Sequence, residues 1–270
     1  MKLPTIQELL ESGAHFGHLT KRWNPKMTPY IFTSKEGIHI IDLEKTEKLL
    51  KEAAEFLKEV AARGGSVIFV ATKKQGAEIV KGEAERAGAM HLTHRWVGGL
   101  LTNWESVQKT ILKLPRLEEE LREAKEKDLT KKEQLLIQRE IDKLTTFIGG
   151  IRNLERRPDT LFVVDSRKEA NAVAEANKMG VPVIAVVDTN ADPTKVTYPI
   201  PANDDAIKSI SIIVKAMADS YEEGRKLWEK KELKREEKEK ALQESAELKS
   251  AKEEVKASAT RAKNVKEDKS

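Results

Sequence analysis

Three apolar runs of strand length, each leading into a helix-length amphipathic segment, restrict this 270-residue chain more than any other feature. Ser66 to Thr72 (SVIFVAT), Thr160 to Val164 (TLFVV) and Val183 to Val187 (VIAVV) lack the alternation of a half-exposed strand. Strands apolar on both faces are covered by helices on both sides, the condition of a parallel sheet. The first run predicts a following helix from Gln75 to Ala87 and a short strand from Met90 to Thr93. The second leads to a helix from Lys168 to Lys178, and the third to a long helix from about Asn203 to Trp228. One more helix starts at Leu43, where Leu49, Leu50, Ala53, Phe56, Leu57 and Val60 recur at three- and four-residue spacing until Gly64 and Gly65. The order predicts an α/β fold built on a doubly wound parallel sheet.

Ahead of this pattern, Thr5 is placed to cap a short helix to about Ser12, and Gly13, Gly17, Pro25 and Pro29 then mark an irregular loop. Tyr30 to Thr33 and Ile38 to Ile41 flank a turn at 34–37, a hairpin in which Gly37 supplies the positive φ. Between the two halves of the sheet, Thr102 to Thr146 carries no strand signal. Val107, Ile111, Leu114, Leu117 and Leu121, then Ile137, Ile141, Leu144 and Ile148, follow heptad-like spacing on either side of a charged stretch. That predicts a helical coiled-coil hairpin projecting from the body, with Pro115 kinking or interrupting its first arm. Amphipathicity alone leaves open whether the hairpin stabilises the body or docks a partner. The expected organisation is residues 1–101 and 148–228 for the two parts of the α/β domain, 102–147 for the hairpin, and 229–270 for a charged, disordered tail.

Charge supports that division. Charged residues make up 35% of the chain, and 28 of its 94 charges fall in the 49 residues from Glu222 onward. The net charge of +4 therefore says little about partners, and local clusters must carry that argument. The absence of cysteine excludes disulfides, thiolate metal sites and a cysteine nucleophile. Glu8 and Glu11 stand where a signal peptide needs an apolar stretch, and no apolar run approaches the roughly 18 residues of a membrane span. A cytoplasmic protein without a membrane partner is the expectation.

An α/β sheet invites an enzyme reading, but the turns after the strands (TKKQG at 72–76, DSRK at 165–168, DTNA at 188–191) match neither phosphate-binding glycine pattern. A serine elbow and a zinc-protease helix are also missing. No cofactor is required and no small-molecule substrate is implied. His15 and His18, like His91 and His94, are three residues apart. His18 with Asp188, Asp204 and Asp205 is a candidate set for a structural divalent ion, zinc or magnesium, although the aspartates suit turn and helix-start positions equally well.

What remains is basic residues mixed with aromatics in loops. Lys21, Arg22, Trp23 and Lys26 form one cluster; Arg95, Trp96 and Asn103 lie in a second, with Gly98 and Gly99 between them; Lys73 and Lys74 sit at a strand end. Cationic side chains neutralise phosphates and planar ones stack on unpaired bases, so these loops point to RNA. Packing is the expected task of both tryptophans, with stacking as the alternative.

At these same residues the chain resembles the bacterial small-subunit ribosomal protein S-two family, part of a universal family. The resemblance rests on GAHFGH (13–18), WNPKM (23–27), HIIDL (39–43), FVATKKQ (69–75), RWVGGLLTN (95–103), PDTLFVVD (158–165), VPVIAVVDTN (181–190) and IPANDD (200–205), in order. It implies a flavodoxin-like α/β domain with a protruding coiled-coil hairpin. It further implies a structural, non-catalytic place at the head–body junction of the small subunit, contact with small-subunit ribosomal RNA, and a share in holding ribosomal protein S-one. A divalent ion near the His and Asp positions is implied for some members. The alternatives are an α/β enzyme, against which the absent phosphate loops count, and a protein-only scaffold with incidental basic loops.

Overall fold

The structure, a computed structural model, describes residues 3–125 and 129–235. It divides into a unit of residues 1–225 and a second of residues 226–270. In the first unit, Thr5 caps α1 (Ile6–Glu11) in a reciprocal arrangement with Glu8. Three strands follow: β1 (Phe16–Leu19), β2 (Ile31–Lys35) and β3 (Ile38–Ile41). They form a small antiparallel sheet in the order β1-β3-β2. The expected β2–β3 hairpin forms, but its turn is shorter than 34–37: Ser34 and Lys35 pair within β2, leaving Glu36 and Gly37 at positive φ. Strand β1 was expected to be loop. It is short and its register with β3 shifts between Phe16 and Leu19, so no alternating pattern marks it in the sequence.

The chain continues through α2 (Leu43–Ala62), β4 (Val67–Val70), α3 (Lys74–Ala87) and β5 (Met90–Leu92). Then come α4 (Trp104–Arg122) and α5 (Lys131–Ile148), β6 (Thr160–Val164), α6 (Ala170–Met179), β7 (Val183–Val187) and β8 (Tyr198–Pro201). A last helix, α7, begins at residue 207 and occupies the rest of the unit. Strands β4 to β8 make one parallel sheet in the order β5-β4-β6-β7-β8. That order is the flavodoxin-like 2-1-3-4-5 arrangement. Strand β8 was not expected, because Pro199 and Pro201 read as breakers; at the edge of a sheet they are tolerated. Helix α7 starts four residues later than expected, because the side chain of Asn203 caps the turn that precedes it.

Side-chain alternation builds two cores from one sheet. Phe69, Phe162, Val164, Ile184 and Val186 enter the core covered by α2, α3 and α7. Ile68, Val70, Leu161, Val163, Ala185 and Val187 enter the other, covered by α6, the 96–101 loop and the near ends of α4 and α5. Strands β4 and β7, and β6 from Leu161 onward, are therefore apolar on both faces for the reason their sequences implied.

Helices α4 and α5 pack on each other. Val107, Ile111 and Ile148 belong to the second sheet core, while Leu114, Leu117 and Ile141 form a separate cluster with Leu121, Ile137 and Leu144. Helix α4 continues through Pro115, so the proline does not interrupt the arm. Lys113 pairs with Glu140 across the two helices. In the second unit, residues 226–235 are helical. The expected disordered tail lies, from residue 236 onward, outside the described residues.

Candidate nucleic-acid interface and cation site

In a sheet of this order, ligands enter at the C-terminal ends of the strands, in the crevice where the order reverses, here between β4 and β6. Its own side chains occupy the crevice. Glu169, which burial pushes above the ordinary carboxylate range, accepts hydrogen bonds from the Thr72 backbone N–H at 3.1 Å and from the Thr72 hydroxyl. Lys168 Nζ donates to the Thr72 carbonyl at 3.1 Å. Asp165 adopts the left-handed region at φ 68°, and its carboxylate accepts from the Lys168 N–H at 2.9 Å. Such a turn offers carboxylates where a phosphate-binding loop would offer N–H groups.

Beside this crevice the small sheet meets the large one. Gly17 passes so close to Thr189 that a Cβ there would lie 2.6 Å from its methyl group. The His18 N–H then donates to Thr189 Oγ1 at 2.8 Å, and Asn24 N–H to the Thr189 carbonyl at 2.8 Å. His18 is thereby carried to the strand ends that present Asp188 and Asp204, both almost fully buried. His18 Nδ1 lies 3.0 Å from Asp188 Oδ2 but off the ring N–H direction, so the contact is chiefly electrostatic. The Asp188 carboxylate raises the His18 pKa. Burial, and then the neighbouring Asp165 and Asp188, push Asp204 up to about 7.

Lys73 answers this negative charge. Its ammonium lies 2.8 Å from Asp204 Oδ1 and 3.6 Å from Asp165, and it also pairs with Asp205. Burial works against its charge, but the hydrogen bonds to Asp204 and Asp205 outweigh it and raise the pKa. The position expected to meet RNA is instead the internal counter-ion of an acidic cluster. Sequence reasoning missed this role, because nothing local distinguishes Lys73 from its exposed neighbour Lys74.

The same cluster has the donor set of a divalent-ion site. One ligand atom each from His18, Asp188 and Asp204 lie within 4.8 Å of one another, and Asp204 Oδ2 is buried without a hydrogen-bond partner among the described residues. Two hard oxygens and an imidazole nitrogen suit zinc or magnesium. Asp205, expected in the set, is outside this trio: its side chain is 55% exposed and is engaged by Lys73 and by His18 Nε2 at 3.5 Å.

The basic loops separate into free and engaged positions. Lys21, Arg22, Lys74 and Arg95 are exposed, and none has a carboxylate partner among the described residues. Trp23 is 37% exposed and lies tilted on His39, ring centres 5.1 Å apart. Lys26 is tied to Asp192 at 2.7 Å and Thr194 at 3.1 Å, which fixes its loop against the one after β7. Trp96 is buried at 7% exposure, and its indole N–H donates to Glu175 Oε1 at 3.0 Å. The same carboxylate receives the N–H groups of Gly99 at 2.8 Å and Leu101 at 3.2 Å, and the Thr102 hydroxyl at 3.1 Å. Trp96 is thus a buttress for the 95–103 loop and has no open face for a base. Asn103 is exposed at the start of α4, its side chain making no cap bond. Glu175 is the residue the sequence hid, since it lies on a helix more than 70 positions from the loop it organises.

A family model described as Ribosomal protein S2 matches residues 9–224. The chain belongs to that family. The match covers both sheets and the α4–α5 pair, and S2 family membership gives the protein a structural role in the small ribosomal subunit, in translation. No described helix is long and apolar enough to cross a membrane.

Proposed function

We propose that this S2 family member binds small-subunit ribosomal RNA through its exposed basic loops and docks neighbouring ribosomal proteins, ribosomal protein S-one among them, with the α4–α5 pair. It performs no catalysis. The observation that carries the RNA reading is the set of exposed cations without a carboxylate partner among the described residues, Lys21, Arg22, Lys74 and Arg95, on a fold whose ligand crevice is closed by Glu169 and Lys168. Unpaired cations release counterions when they meet phosphates, and that release drives binding. Sedimentation of a cell extract through a sucrose gradient in moderate salt tests the reading. The chain should travel with small subunits and leave that position after ribonuclease. A place at the top of the gradient in both runs would overturn it.

The cluster of His18, Asp188 and Asp204 is proposed as a structural divalent-cation site. A bound ion would supply positive charge between β1 and the ends of β7 and β8, where Asp204 Oδ2 has no donor among the described residues. Equilibrium dialysis against zinc or magnesium, followed by metal analysis, should find the ion retained by the natural chain and absent from the Asp188→Asn/Asp204→Asn variant. A metal-free natural chain would dismiss the site.

A further inference from the structure

We infer that a pocket of about 440 Å³ between the ends of β6 and β7 and the flank of α6 seats a single unstacked nucleotide of the bound RNA. The inference rests on the RNA-binding reading and locates a contact within it. The pocket begins where the basic loop ends. Asn24 forms part of its wall, and the Lys26 bonds to Asp192 and Thr194 fasten that loop to the opposite rim. An RNA strand held by Lys21 and Arg22 therefore passes the opening.

The lining has the composition a nucleotide needs. Val173 and the alanines of α6 give an apolar wall against which a base can lie, and a volume of this order holds a nucleoside-sized group. Arg167 and Lys195 stand on the rim, both exposed and neither paired with a carboxylate among the described residues. The lining carboxylate, Asp192, is already neutralised by Lys26. Two lining groups lack partners among the described residues: Ser166 Oγ, on a residue only 7% exposed, and Asn190 Oδ1. Buried polar atoms in folded proteins are nearly always bonded, so a hydroxyl and an amide oxygen left over beneath the lining of one pocket are a donor and an acceptor that the edge of a base would engage once it displaces the side chains covering them. Bases splayed from single-stranded RNA are read by hydrogen bonds to their edges, and cations neutralise the flanking phosphates.

Photocrosslinking decides the matter with the intact chain and a short single-stranded oligonucleotide carrying 4-thiouridine, the crosslinked peptides being mapped by mass spectrometry. Crosslinks within residues 166–177 or 190–196 are expected. They should fall at least about tenfold in Ala174→Trp, which fills the opening from an exposed position of α6, and in Arg167→Ala/Lys195→Ala, which changes only the rim. Crosslinks confined to the 20–26 and 93–103 loops, unaltered by either variant, would overturn the pocket and leave RNA binding standing. No crosslink anywhere would overturn both. A free mononucleotide that suppresses the pocket crosslinks as well as the unlabelled oligonucleotide does would overturn the assignment to RNA in favour of a soluble nucleotide.

Discussion

Glu175 concentrates more of the second loop's geometry than any residue within that loop. Burial alone would raise its pKa, but the donors from Trp96, Gly99, Leu101 and Thr102 together hold it below the ordinary carboxylate range. A depressed folded value means that the ionised form stabilises the fold. The contribution is complete above the ordinary Glu value of about 4.3 and is lost as pH falls below it through the folded value. Glu175→Gln keeps the shape but weakens the acceptor, and should lower stability by about 1–3 kcal/mol at neutral pH. Denaturant midpoints, read by tryptophan emission, should show the gap between the two proteins closing in acid; a gap unchanged at low pH would remove the role. None of this was legible from position. The sequence marks Arg95, Trp96 and Asn103 as neighbours, whereas the carboxylate that orders them is a long-range partner. Lys73 shows the same limit, since basic character is local and direction is set by the fold.

Among the elements, those with a strong period were legible and those defined by a neighbour were not. Strands β4, β6 and β7 and helices α2 and α3 follow from continuous apolar runs and three-to-four spacing, whereas β1 and β8 exist because a partner strand pairs with them. The α4–α5 pair illustrates both cases. Its seam is plain in the sequence, yet its attachment to the body depends on Gly150, where a Cβ would lie 2.5 Å from His91 Nδ1 and closer still to the His91 carbonyl. Gly150→Ala should therefore cost about 1–3 kcal/mol, as overpacking does, and loosen the pair from β5. Hydrogen exchange across residues 149–154 provides the check, with unchanged protection as the contrary result.

For the whole molecule, charge placement matters more than charge. The chain is only +4 overall, and the acidic cluster at the strand ends engages Lys73 while Lys26, Arg152 and Arg156 are held by Asp192, Glu118 and Asp159. The positive charge available to RNA is local. Replacing Lys21, Arg22 and Arg95 together by alanine should flatten the dependence of log K on log salt by about one for each phosphate no longer neutralised, and reduce entry into small subunits. Normal incorporation of this variant at raised salt would contradict the interface. The family's motifs were legible between residues 13 and 205, and the sorting of cations into free and engaged was not.

The distribution of core along α4 has a mechanical consequence. Val107 and Ile111 are rooted in the sheet core, while the cluster around Leu114 and Leu117 is built from α4 and α5 alone. With 19 residues, α4 measures about 28 Å. A tilt of about 5° at its root displaces the far end by roughly 2 Å. The pair is a lever, and a molecule gripping its tip would register rotations of the body too small to break any bond at the base.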